Sequence, residues 1–341
     1  HQTYNELFGT TNNPWDVTRS PGGSSGGAAV AVATGMTGFE LGSDIANSIR
    51  GPASHCGIYG HKSTYGIVPY RGHIPPPPGW LSTRDITVVG PMGRSAADLG
   101  LVMSVVSDLD LGHEIRHLTE FRIAAWLDDE TFPVAPDVVA VLETLVEELE
   151  SSGVKVDRSA RPAFSFRAAR SVFNALLVAA SLPEMSDEER EFARANVDDD
   201  GPTGTWARNV TMTHGQWVEW NEKRAVLCAQ WADFFTDFDV LLTPAMPVPA
   251  IHHDQREELS LDRTCDHRGV TYRYFDQSVW AGLSGVAYLP STVAPAGLTD
   301  EGLPVGVQIV GPHREDHATI AFARSLADVA GGYEPPPMAR L

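Results

Sequence analysis

The sequence predicts an α/β fold with a mixed or parallel central sheet. Three observations carry this. Short β-branched stretches bounded by Gly and Pro alternate with longer segments of three/four apolar period. Hydrophobic residues are 43% of 341, enough for a sizeable core. No apolar run approaches the ~20 residues of a spanning helix.

The elements follow in order. The run 28–33 opens a buried helix after a glycine-rich loop. A strand-like piece leads into Gly42, and a short helix ends near Gly57. Ser95 with Asp98 resembles a capping box ahead of Leu99, Val102, Met103 and Val106. Residues 121–126 read as a strand, and 135–235 read mainly as helix. Within 137–150, Val138, Val141, Leu142, Leu145 and Leu149 share one face, with Asp137 in the first turn. Gly153 stops that helix, and a strand follows at 154–156. In 216–235, Trp217, Trp220, Leu227, Trp231 and Phe235 keep helical spacing and read as core. Strands are expected at 240–242, 289–294 and 305–310, and a last helix at 317–329 before Gly331. Pro75 to Pro78 form a stiff extended loop.

Charge and cysteines narrow the function. The net charge of −19 argues against nucleic acid and anionic membranes, which need clustered cations. Cys56, Cys228 and Cys265 have no CxxC spacing, which excludes a disulfide framework or cysteine zinc site and fits a reducing cytoplasm. Of 25 basic residues only Lys62, Lys155 and Lys223 are lysines. The chain starts at His1, not Met, and reads as a chain whose beginning lies elsewhere.

The chemistry concentrates in residues 20–64. Gly22, Gly23, Gly26 and Gly27 surround Ser24 and Ser25 at a loop-to-helix junction, where N–H groups are unpaired. A second cluster is Gly42-Ser43-Asp44-Ile45-Ala46-Asn47-Ser48-Ile49-Arg50. A phosphate loop would need a Gly-Lys-Ser/Thr ending, which is missing. Gly22-Gly23-Ser24-Ser25-Gly26 satisfies G-x-S-x-G, but a nucleophile elbow follows a buried strand, and the polar run 16–21 ends in proline. His61 and His73 read as hydrogen-bonded structural groups. His252-His253-Asp254 lacks the companions a metal site needs. Cys56 follows the active turn and reads as buried rather than nucleophilic.

Taken together, the two serine clusters resemble the amidase signature family of serine hydrolases. The resembling residues are Gly23-Ser24-Ser25-Gly26-Gly27, Leu41-Gly42-Ser43-Asp44, Ser48-Ile49-Arg50, Pro52-Ala53, Cys56-Gly57, Gly60-His61-Lys62 and Tyr65-Gly66. Similar blocks recur at 90–99, 238–244 and 302–311, so the resemblance spans nearly the whole chain. It implies the amidase-signature fold, a mixed twisted central sheet covered by helices. It implies one domain over 1–341 lacking its N-terminal part. Within it, 20–100 is the signature core, 110–236 a variable helical substrate side, and 237–341 completes the core.

The resemblance further implies a Ser–cis-Ser–Lys triad. Ser48 matches the nucleophile and Ser24 the bridging serine with a cis peptide bond. A neutral lysine draws the proton through Ser24, the base activation that a serine hydroxyl requires. None of the three lysines fits that position, and Lys62 matches one the family uses structurally. The catalytic lysine is therefore expected before His1. The oxyanion hole is expected from the N–H groups of Ile45, Ala46, Asn47 and Ser48. The family often has two glycines where Ala46-Asn47 stand. Asn47 tolerates positive φ, and Ala46 implies ordinary dihedrals there. Ser25 supports the site, and Asp44 and Arg50 form a pair that pins the loop.

The expected reaction is hydrolysis of a C–N amide bond through a Ser48 acyl-enzyme, with no metal or organic cofactor. The expected partner is a small apolar, aryl or oligomeric amide, with the loop 74–80 and the aromatic middle hinting at the first two. A carbamate or ester is the variant on the same triad. The other readings are an inactive scaffold or a glutamine-dependent amidotransferase subunit. Gly51 stands where the amidotransferase subfamily usually has glutamine. A homodimer is left open as the assembly.

Overall fold

A computed structural model of the chain describes residues 1–73, 81–109, 116–256, 261 and 263–340. The proline run Pro75–Pro78 and the loop 74–80 lie outside the described residues. A small hairpin, β1 (Tyr4–Asn5) and β2 (Gly9–Thr10), precedes the glycine loop. Then come α1 (Gly26–Ala33), β3 (Phe39–Asp44), α2 (Arg50–Cys56), β4 (Tyr59–Lys62), β5 (Val88–Gly93) and α3 (Ala96–Val106). The middle holds β6 (Ile123–Ala125), α4 (Pro136–Ser151), β7 (Val156–Asp157), α5 (Phe166–Ser181), α6 (Asp187–Ala195), α7 (Pro202–Val210) and α8 (His214–Asp237). The chain closes with β8 (Val240–Pro244), the hairpin β9 (Thr264–His267) and β10 (Val270–Arg273), α9 (Val279–Val286), β11 (Ser291–Leu298), β12 (Pro304–Val310) and α10 (Asp316–Ala330).

Eight strands form one mixed sheet in the order β3-β5-β4-β11-β12-β8-β6-β7. β6 runs parallel to β7 and β8, and the other pairings are antiparallel. β12 is buried along its whole length, and its apolar run packs between β11 and β8. Helices cover the sheet, as expected of an α/β chain whose central strands read as nearly continuous apolar runs.

The helices form where their periods place them. On α4, Val138, Leu142, Leu145, Val146 and Leu149 are buried, and Gly153 follows at φ 85°. α8 runs two residues beyond 216–235 at each end, because Thr213 caps it and Gln216 completes the box. Ser95 accepts from the Asp98 N–H at 3.1 Å. Ser95→Ala should cost about 1 kcal/mol, read as a lower urea midpoint with unchanged slope.

The expected strand at 121–126 narrows to Ile123–Ala125, and two other shifts have a local cause. The 154–156 strand forms at Val156–Asp157, because Val154 closes the α4 C-terminus through its N–H to Leu149 O. The 289–294 strand starts at Ser291, because Leu289 is still tied to Ser284 O after α9.

Four strand ends share one end of the sheet. Asp44 pairs with Val88, so the chain leaving β3 and the chain entering β5 run side by side. Lys62 pairs with Ser291, which does the same for the chain leaving β4 and the chain entering β11. β4 and β5 are themselves neighbours. The turn 45–49 therefore lies on the same edge as segments 63–65, 85–87 and 288–290.

Candidate active site

The turn 45–49 is built around one carboxylate. Asp44, at the end of β3, accepts the N–H groups of Asn47 (2.9 Å) and Ile49 (3.1 Å). It also takes Arg50 Nε (2.9 Å) and Nη2 (2.8 Å). Both side chains are fully buried. Burial alone would raise the Asp44 carboxyl, but the charge and hydrogen bonds of Arg50, with Lys62 and the Asn47 N–H, hold it at about 2. Arg50 Nη1 donates onward to Ala281 O (2.7 Å), Ser284 Oγ (2.9 Å) and Gln308 Oε1 (2.7 Å). Asp44 and Arg50 thus pin the loop to α9 and β12, a buried pair with its remaining polar atoms satisfied.

Asn47 sits at φ 88°, the left-handed region that asparagine tolerates, and Ala46 keeps negative φ. The Asn47 amide donates to Ala245 O (3.2 Å), Met246 Sδ (2.8 Å) and Gln277 O (3.3 Å). These contacts stitch the turn to the end of β8 and to the segment before α9. One expectation changes here. The Asn47 N–H points to Asp44, so it is not free to serve an oxyanion. Among the described residues, the N–H groups of Ile45, Ala46 and Ser48 donate to no protein acceptor, which leaves three candidates instead of four.

The glycine loop meets this turn directly. The Ser25 N–H donates to Ser48 O at 3.2 Å. The Gly23–Ser24 peptide bond is cis. Ser24 is exposed, while Ser25 and Ser48 are half-buried. Gly22 adopts φ 84° against Pro52, where a Cβ would lie 3.0 Å from backbone. Residues 16–21 form no strand, only the single bridge Arg19 to His252, so the elbow geometry is not built.

Several site residues escape sequence reasoning. Thr3 Oγ1 donates to Gly22 O (2.9 Å) and accepts the Gly26 N–H (3.2 Å), bracing the loop from both sides. The backbone of Gln2 lies where a Gly23 side chain would be. Gln308 carries a signal in hindsight: it is a polar residue inside the apolar run of β12, and a buried carboxamide requires partners. Its Nε2 donates to Thr243 Oγ1 at 2.8 Å.

The other candidates take structural places, except that His73, expected to be hydrogen-bonded, has a buried Nε2 with no partner among the described residues. His61 lies fully buried between Thr292 Oγ1 (2.9 Å) and Asp316 Oδ1 (3.0 Å). Burial pushes the Cys56 thiol well above its ordinary range. Asp254 is bound by Arg256 and Arg263, and no group of three or more His, Cys, Asp and Glu suited to a metal occurs among the described residues. Lys155 and Lys223 are exposed.

Lys62 is fully buried, and its Nζ donates to Leu289 O (2.7 Å) and Ser63 O (3.1 Å). Burial, then the charge of Arg50, lowers it to about 7 against the pull of Asp44 and Asp316. An unfolded chain holds that proton up to about 10.5. The unfolded state therefore binds more protons between about 7 and 10.5, and this lysine makes stability rise with pH across that window. Lys62→Met should remove this slope. Urea unfolding of both proteins at pH 7, 8 and 9 reads the difference, and parallel curves would refute it.

Comparison with known proteins identifies the family and the fold. The Amidase family model matches residues 1–320. A glutamyl-tRNA(Gln) amidotransferase subunit from Deinococcus radiodurans is 30% identical over 96% of this chain and 71% of that protein. The Thermotoga maritima protein of the same name superposes with a TM-score of 0.74 at 24% identity, over 96% of this chain and 72% of that one. A bacterial aryl acylamidase gives 0.75 at 22% identity, over 96% and 70%. A 6-aminohexanoate cyclic dimer hydrolase gives 0.74 at 22%, over 99% and 74%. With its family model matched across nearly its whole length, its mixed sheet and its two serine clusters, the chain belongs to the Amidase family.

Proposed function

We propose that the protein is a serine hydrolase that cleaves a C–N amide bond through an acyl-enzyme on Ser48. The observation that carries this is the junction of the two serine segments, tied by the Ser25 N–H to Ser48 O at 3.2 Å beside three unpaired N–H groups. Ser48 Oγ attacks the carbonyl carbon. The developing oxyanion is held by the N–H groups of Ile45, Ala46 and Ser48, donors that are fixed before the reaction. Ser24 passes the proton to the leaving amine, and water then cleaves the acyl-enzyme through the same relay. The base is the lysine that the family resemblance sets ahead of the glycine loop, since Lys62 Nζ is committed to two carbonyls.

The substrate class we propose is a small apolar, aryl or oligomeric amide, with carbamates and esters open to the same attack. The likeness to an aryl acylamidase and to a 6-aminohexanoate cyclic dimer hydrolase supports this choice. The three cysteines are free, which suits a cytoplasmic setting. No helix among the described residues is long and apolar enough to cross a membrane.

The relatives named as amidotransferase subunits favour a second reading, release of ammonia from glutamine for a partner. Gly51 counts against it. A side chain there would start 3.1 Å from Met246 Sδ and 3.2 Å from Asn47 Nδ2, so the glutamine usual in that subfamily would press on both unless they shift. A fluorophosphonate should label Ser48. A panel of amides, esters, carbamates and glutamine then separates the readings. Labelling of Ser24 instead would revive the elbow mechanism, and turnover of glutamine alone would favour the amidotransferase.

A further inference from the structure

A carboxylate outside the serine machinery gathers three groups at the same end of the sheet. Asp85 precedes β5 by three residues. The register Asp44 to Val88 carries segment 85–87 alongside the chain that leaves β3 into the nucleophile turn. Arg224, on α8, grips Asp85 with Nη1 at 2.9 and 2.8 Å from its two oxygens. The Tyr288 hydroxyl donates to Asp85 Oδ1 at 2.6 Å, and the Ile86 N–H donates to the same oxygen at 2.9 Å. The Arg224 guanidinium lies 4.5 Å from the Tyr288 ring centre, and Tyr65 stacks on Tyr288 at 4.5 Å. Burial and the Asp85 carboxylate together keep the Tyr288 hydroxyl protonated as a donor.

The backbone around this carboxylate is unusual. Ile86 sits at φ 65° and Tyr288 at φ 63°. A β-branched or bulky residue in the left-handed region is strained, and such residues gather at ligand clamps. Here two of them, from segments about 200 positions apart, flank one side chain on the edge that carries Ser48. Arg224 is nine-tenths buried or more and already neutralised. A guanidinium left open there would be a strong bidentate receptor for a carboxylate.

We propose that Asp85 is a specificity-determining residue: by holding Arg224 and Tyr288 it closes that cation to ligands, so that the site takes amides with an uncharged acyl group and rejects those with an acyl carboxylate. This rests on the hydrolase reading above and narrows its substrate class. It also separates the protein from enzymes that must bind the carboxylate of an amino-acid amide.

Pentanamide and glutaramate test it, since they differ by a methyl against a carboxylate. The full protein should favour pentanamide in kcat/KM by tenfold or more. Asp85→Asn should swing the ratio toward glutaramate by at least tenfold, mainly through KM, and Asp85→Asn with Arg224→Met should reverse that swing. Should Asp85→Asn fail to fold, Arg224→Met reads the pair from the other side. Its bared carboxylate should favour 5-aminopentanamide by a similar factor. Calorimetric binding of the same amides reads the ratio without turnover. A Ser48 that fails to react therefore counts against hydrolysis, while the binding ratio still decides on Asp85. A wild type that prefers glutaramate, a ratio unmoved in both variants, or no binding of either amide overturns the proposal.

Discussion

Ser48→Ala should lower turnover of any accepted amide by about four orders of magnitude or more, the scale on which losing a triad nucleophile acts. The fold should not suffer, because Ser48 is half-buried and its side chain anchors no other segment. Its backbone carbonyl, which accepts from Ser25, remains in the variant. Ser24→Ala tests the relay. An alkyl amine cannot leave without a proton, whereas an activated aryl oxide can. The loss, about 10²- to 10⁴-fold for a general acid–base group, should therefore fall harder on amides than on aryl esters. Initial rates on a matched amide and aryl ester, with thermal melts of each variant, measure both effects. Full amide activity in Ser48→Ala would falsify the mechanism.

Arg50→Met should destabilise the protein by about 3–5 kcal/mol at pH 7, because it leaves the Asp44 carboxylate buried without its counter-charge. Three further acceptors, Ala281 O, Ser284 Oγ and Gln308 Oε1, lose the same donor. The pH dependence is specific. Asp44 titrates near 2 in the folded state and near 3.8 when free. A lowered carboxyl contributes stability that is present above about pH 4 and lost as pH falls toward 2. Without Arg50, burial raises the Asp44 carboxyl, so the variant takes up a proton there at higher pH than the wild type, and the deficit of Arg50→Met should be larger at pH 7 than at pH 3.5. Urea midpoints at pH 7 and 3.5 decide it, and an equal deficit at both would contradict this account.

Much of this architecture was legible in the sequence because local pattern and burial agree. The α4 stripe of Val138, Leu142, Leu145 and Leu149 meets the core as spaced, and Gly57 and Gly331 end their helices in the left-handed region. α9 was not legible. Its sequence, VWAGLSGV, is buried on every side, so no polar face marks a period. The β9–β10 hairpin was hidden for the opposite reason. It carries few apolar residues, and its turn at Arg268-Gly269 was the one cue, with φ 50° and 79°.

Ser24, Ser48, Asp44 and Arg50 stood together in motifs; in the structure Asp44 and Arg50 hold the turn 45–49, and Ser25, next to Ser24, meets Ser48 O. Thr3, Gln308, Asp85 and Arg224 stood in no such motif. Each reaches its partner across tens to hundreds of positions, and no single-sequence pattern encodes such a pairing. The Asn47 N–H illustrates a subtler limit. Its place in the turn was readable, but which acceptor it faces depends on where the Asp44 oxygens lie.

The alignment of four strand ends on one edge has a practical consequence for protein engineering. Segments 63–65, 85–87 and 288–290 hang from that edge beside the turn 45–49, while the ladder hydrogen bonds lie behind them. Of those nine positions only Tyr65, Asp85 and Tyr288 are not buried, so a combinatorial library confined to these three would diversify that end of the sheet without breaking a strand pairing or opening the core. Variation at the opposite edge would chiefly change melting behaviour. Screening the two libraries side by side would separate heritable change in substrate choice from change in durability.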